Sequence, residues 1–179
     1  MPGALKARAA EVHEAERFLV VPEAQWSYPA PIARQRLDTL GAVLYAVRHS
    51  DGSNHALYGL YRRETATAAW VELVLNGSAW LEDGFRQPTL QAEQPLVECV
   101  AVATHGGNGR ELIRLIPGRV AERVTDLEIL DDGREAPCEI SSLGTFIALS
   151  VSRPASSPPP LRALSGDRET TLQLPEVAA

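Results

Sequence analysis

The densest set of reactive side chains in the chain is His49-Ser50-Asp51-Gly52-Ser53-Asn54-His55, where two imidazoles, a carboxylate and two hydroxyls follow one another closely. Two chemistries use such a set. Imidazole and carboxylate together bind transition metals. A hydroxyl, an imidazole and a carboxylate together make a nucleophile, its base and the group that orients the base. On that second reading Ser53, His55 and Asp51 would serve a hydrolase, with His49 and His105 as further candidates. Nucleophilic sets, however, converge from distant segments of a rigid scaffold, and a metal needs a third ligand that no neighbouring residue supplies. Asp, Gly, Ser and Asn are also what turns demand. The stretch therefore reads as a solvated turn, with no catalytic residue, no metal and no cofactor expected.

Other polar clusters reduce to structure by similar arguments. Thr104-His105-Gly106-Gly107-Asn108-Gly109-Arg110 has the glycines of an anion-binding loop. Such a loop must open a helix, whose N-terminal N–H groups hold the anion, and Glu111–Ile116 alternates as a strand does. Asp126, Glu128, Asp131 and Asp132 could pair as acid and base only inside a cleft that shifts one pKa. Alternation instead puts Asp126 and Glu128 on a solvated face. Asn76-Gly77-Ser78 fits a glycosylation sequon and, equally, a type I′ hairpin turn.

Aromatic residues carry the best binding signal. Trp26, Tyr28, Tyr58, Trp70 and Trp80 are candidate contacts for a sugar or a protein, and Tyr45 and Tyr58 are placed as cross-strand partners near Arg62 and Arg63. Aromatics in a β domain more often fill the core. Nucleic acid is not expected, because acidic residues interleave the arginines and the formal charge is −6.

The elements that must position these residues are mostly strands. Ala42–Arg48 and His55–Arg62 alternate on either side of the Asp51-Gly52 turn, which predicts a hairpin. Ala68–Leu75 reads as a strand turning at Asn76-Gly77 into Ser78–Leu81. Hairpins are predicted for Leu96–Thr104 with Glu111–Pro117, for Val120–Leu130 with Arg134–Ser141, and for Leu161–Ala163 with Thr170–Leu174, with a further strand at Thr145–Val151. The sum is about nine or ten strands separated by short turns, a mainly β fold of the antiparallel sandwich type. Residues 32–41 fit a short helix or an irregular arm as well as a strand.

Ahead of the strands, Ala4–Val20 reads as an amphipathic helix with Leu5, Val12, Phe18 and Leu19 on its apolar side. It either packs on the β domain or docks a partner. The division expected is a helix and Pro/aromatic-rich arm over 1–31, a β domain over 32–175 and a tail over 176–179. Cys99 and Cys138 lie in separate predicted strands and are either two buried thiols or one bridge between sheets. No window is apolar enough for a membrane span, and the start lacks the apolar core of a secretory signal. The chain as written is therefore expected in the cytoplasm, or outside it if excised from something longer.

Several phrases carry a likeness to known proteins: Ala33-Arg34-Gln35-Arg36, Tyr45-Ala46-Val47-Arg48 before Asp51-Gly52, Leu115-Ile116-Pro117-Gly118-Arg119-Val120-Ala121-Glu122-Arg123-Val124, Asp132-Gly133, Gly144-Thr145-Phe146 and Leu161-Arg162-Ala163-Leu164. From about Phe18 to Leu174 their order resembles a group of bacterial, chiefly actinobacterial, extracytoplasmic β-domain proteins of unknown function. The resemblance implies an immunoglobulin-like sandwich and brings no catalytic residues. The function expected is a non-enzymatic protein-interaction or structural module, self-associating through the N-terminal helix. A small-ligand or carbohydrate-binding domain and a hydrolase built on the loop histidines are the alternatives.

Overall fold

The Asp-Gly turn closes a hairpin. In the computed structural model, which describes residues 2–78, 97–99, 103–107, 111–131, 134–152 and 157–174, β2 (Leu40–Arg48) and β3 (Asn54–Arg62) pair antiparallel from Leu40↔Arg62 to Arg48↔Asn54. At the tip, Gly52 takes φ +85°, which an L side chain rarely adopts. The His49 and Ser53 backbones bridge the turn at 2.9 Å.

β1 (Ala30–Leu37) precedes this pair, and β4 (Val71–Ser78) follows it, giving a first sheet in the order β1-β2-β3-β4. The helix or arm weighed for residues 32–41 is thus a strand, joined to β2 by a tight turn in which Asp38 has φ 52°. The half-solvated alternation expected of Ala42–Arg48 is not what the fold shows: β2 is buried at seven consecutive positions from Leu40 to Ala46 because both its faces are covered. The turn expected at Asn76-Gly77 does not form. Both residues lie within β4 and pair with Tyr58 and Leu57; the rest of the expected return strand falls outside the described residues.

The second sheet contains β10 (Thr145–Ser152), β7 (Glu111–Val120), β5 (Val97–Cys99) and β6 (Ala103–Gly107), the last two both pairing with β7. The third runs β12-β11-β8-β9, from β8 (Asp126–Asp131), β9 (Arg134–Pro137), β11 (Leu161–Ser165) and β12 (Arg168–Leu172). The fold is mainly β and antiparallel, with one helix, as the sequence predicts. The immunoglobulin-like two-sheet layout is not confirmed, since the described strands form three sheets of four.

Three apolar clusters hold the layers together. Ile32, Leu44, Leu60, Leu115 and Ile147 join the first sheet to the second. Ile116, Phe146, Leu127, Ile129 and Leu161 join the second to the third. The period of two explains how the second sheet serves both: Leu115 and Ile147 point to one neighbour, while Ile116 and Phe146 point to the other.

The third cluster lies under α1 (Pro2–Glu14), where Leu5, Ala9 and Val12 cover Val43, Tyr45, Tyr61 and Trp70 on the outer face of the first sheet. The helix stops at Glu14 rather than Val20, because arginines from β1 take its terminal carbonyls. Arg34 Nη1 donates to the Val12 and Ala15 carbonyls, each at 2.6 Å, and Arg36 Nη1 donates to the His13 carbonyl at 2.9 Å. Cations belong at a helix C-terminus, where those carbonyls have no partner of their own. Arg34 is itself buried, paired through Nε with Glu139 at 2.9 Å and lying over the Phe18 ring.

Candidate functional site

The hairpin tip does bring its reactive side chains together, in an order that defeats the chemistry. Ser53 Oγ donates to Asp51 Oδ1 at 2.7 Å and lies 3.4 Å from His55 Nε2. Asp51 also accepts the Ser53 backbone N–H at 2.8 Å, and these two bonds hold its carboxyl below the usual range. The carboxylate therefore orients the serine instead of the imidazole, whereas a nucleophile's base must itself be oriented. Besides that long contact with Ser53, His55 meets the His49 ring, edge-on at 4.4 Å between centroids. His49 to Ser53 are solvent-exposed, and Asn54 and His55 are half-buried. His105 has no described side chain, and the described residues contain no group of three or more His, Cys, Asp or Glu able to hold a metal.

The aromatic candidates go mainly to the core. Trp70 and Tyr58 are buried, so neither offers a stacking platform, and Trp80 falls outside the described residues. Tyr45 and Tyr58 are not partners: the register sets Tyr45 opposite Leu57 and Leu44 opposite Tyr58, which puts the two rings on opposite faces. Tyr45 instead meets Tyr61, oxygen to oxygen at 3.1 Å, and burial pushes both phenols above their ordinary range. Gly59 allows this, because a Cβ there would stand 2.6 Å from the Tyr61 ring. Trp26 and Tyr28 form an edge-to-face pair in the arm, half-buried, with Trp26 Nε1 donating to the Val21 carbonyl at 2.7 Å and Arg48 over the Tyr28 ring.

The apolar side of the helix is occupied within the chain. Leu5 and Val12 are buried against the first sheet, and Phe18 packs beside them although it lies beyond the helix. Leu19 alone of the four stands in solvent, 80% exposed. Cys138 is a free thiol in the cluster between the second and third sheets, so no bridge to Cys99 forms. Burial pushes its pKa up to about 12.

Three further features are ones that the sequence reading does not single out. The first is His13, 1% exposed, with neither ring nitrogen hydrogen-bonded. It lies against Trp70, with ring centroids 4.4 Å apart, and over Gly41, where a Cβ would meet its ring at 2.5 Å. Desolvation, with Arg34, Arg36 and Arg63 nearby, holds its pKa down at about 3, so the ring is neutral at pH 7. Its position directly after Val12 on a helix face was the one available hint.

The second is β4, the last strand in the order of the first sheet, where Val71, Leu73 and Leu75 are exposed. The third is a half-open groove of about 560 Å³ with lining residues from all three sheets, among them Leu37, Asp38, Arg62, Asp131, Leu149 and Val151. None of the hairpin-tip residues lines it. No protein-family model matches this chain, and neither does any curated protein or solved structure.

Proposed function

We propose that this protein is a non-enzymatic interaction module that self-associates by adding strand to strand along the edge of β4 that no described strand pairs with. The observation that carries the reading is the alternating exposure of Val71, Leu73 and Leu75 (51%, 45% and 36%) on the last described strand of its sheet. A sheet edge offers unpaired N–H and C=O groups, and natural proteins usually blunt it with charge or proline. This edge carries aliphatic side chains, the composition that strand addition uses.

The occupant is a second copy of the chain. Antiparallel pairing of a strand with itself is two-fold symmetric, the commonest symmetry of soluble oligomers. Centred on Leu73, it sets Leu73 opposite its own copy and Val71 opposite Leu75, while Glu72 faces Val74 rather than another carboxylate. The helix, expected to be the docking element, has its apolar face covered by its own sheet, so the reading moves to the opposite end of that sheet.

The test is sedimentation equilibrium over rising protein concentration, for the wild type and for Leu73→Lys. The wild type should approach twice the chain mass of 19.4 kDa, and the variant should remain at that mass with its melting temperature nearly unchanged. A wild type that stays monomeric at its highest soluble concentration, or a variant that dimerises equally well, would refute the proposal.

A further inference from the structure

We infer that the groove between the three sheets binds a small amphipathic zwitterion, an α-amino acid with an apolar side chain. The lining divides by chemistry. Leu37, Leu149 and Val151 supply an aliphatic wall, and Asp38, Asp131 and Arg62 supply charges of both signs. Ligand pockets of several hundred cubic ångströms typically combine such a wall with a few placed polar groups.

The polar groups are set in position by the fold. Asp131 ends β8, and Ser150 Oγ from the adjoining sheet donates to its Oδ2 at 2.8 Å; Ser150 is buried. Gln35 is fixed at both ends of its amide, donating to the Pro137 carbonyl at 2.9 Å and accepting from the Glu139 N–H at 3.3 Å. Arg62 ends β3, and its side chain makes no hydrogen bond or ion pair with any described residue. A guanidinium with no partner beside an apolar wall suits a carboxylate, which it can take in two parallel bonds. The carboxylates of Asp38 and Asp131 suit an ammonium. One molecule that satisfies both signs and covers the aliphatic wall is an apolar amino acid. A purely cationic ligand would leave Arg62 unmatched, and a purely anionic one would face two carboxylates.

Isothermal titration of the full chain with leucine, methionine and phenylalanine tests this, with 4-methylpentanoate and 3-methylbutylamine as leucine analogues lacking one charge each. At least one amino acid should saturate below roughly 10 mM, and each single-charge analogue should bind about tenfold more weakly. Arg62→Gln should weaken leucine about tenfold and leave 3-methylbutylamine unchanged, while Asp131→Asn should weaken the amine and leave 4-methylpentanoate unchanged. Thermal melts of both variants establish that they fold. No saturation by any of the three amino acids would overturn the inference. So would binding that both folded variants leave intact. The result is independent of the oligomeric state, which Leu73→Lys sets separately.

Discussion

Acidification should loosen the helix from the first sheet, and His13 sets how much. Its ring is held neutral down to a pKa of about 3, against 6.5 for an ordinary imidazole. The unfolded chain therefore binds one proton more than the folded chain between those two values. The stabilising contribution is fully present above pH 6.5 and is lost progressively as the pH falls towards 3. At pH 4.5, two units below the unfolded value, the loss is about 2.7 kcal/mol, at 1.36 kcal/mol per unit. Carboxylates elsewhere titrate in the same range, so the comparison must be between variants. His13→Leu removes the titrating ring and two unpartnered buried nitrogens while keeping an apolar side chain over Gly41. Urea unfolding at pH 7.5 and 4.5 should then show a drop smaller by about 2.7 kcal/mol in the variant than in the wild type. Equal drops in the two proteins would refute the reasoning. A wild-type His13 resonance titrating near 6.5 in the folded protein would do the same.

Gly41→Ala brings a Cβ within 2.5 Å of the His13 ring and 3.0 Å of Trp70, so thermal unfolding should register a loss of about 1–3 kcal/mol. The loss should shrink in a His13→Ala background, as a double-mutant cycle would read. Cys138 should resist a thiol reagent at pH 8 in native Cys99→Ser protein and react on denaturation, since burial leaves almost no thiolate there. Rapid native labelling would contradict its place in the core.

Where turn chemistry and burial pattern agreed, the strands were legible from residues alone. Asp51-Gly52 flanked by two apolar segments marks the first hairpin, and the alternation of β8, β11 and β12 survives in the fold. The same logic misreads Asn76-Gly77, because pairing with β3 outweighs the local turn preference. It also misjudges the helix end, where the deciding groups, Arg34 and Arg36, lie 19 to 23 residues along the chain from the carbonyls they take. The Tyr45–Tyr58 pairing fails by one residue of register, and one residue is enough to change faces. The groove was not legible at all. Its walls come from positions 35, 37 to 40, 62, 129, 131, 136, 149 and 151, and no short window of sequence contains even half of them.

The guanidinium of Arg34 has one more implication. Through it, the last turn of the N-terminal helix and Glu139, in the segment between β9 and β10, are fastened to a single strand in the first sheet. Cutting away the opening thirty residues would strip that cation of its carbonyl partners and uncover Tyr45, Tyr61 and Trp70 to water. The start of this chain is thus built in as a roof over the sheet, and shortened versions would inherit a sticky, aromatic face that the intact protein never presents.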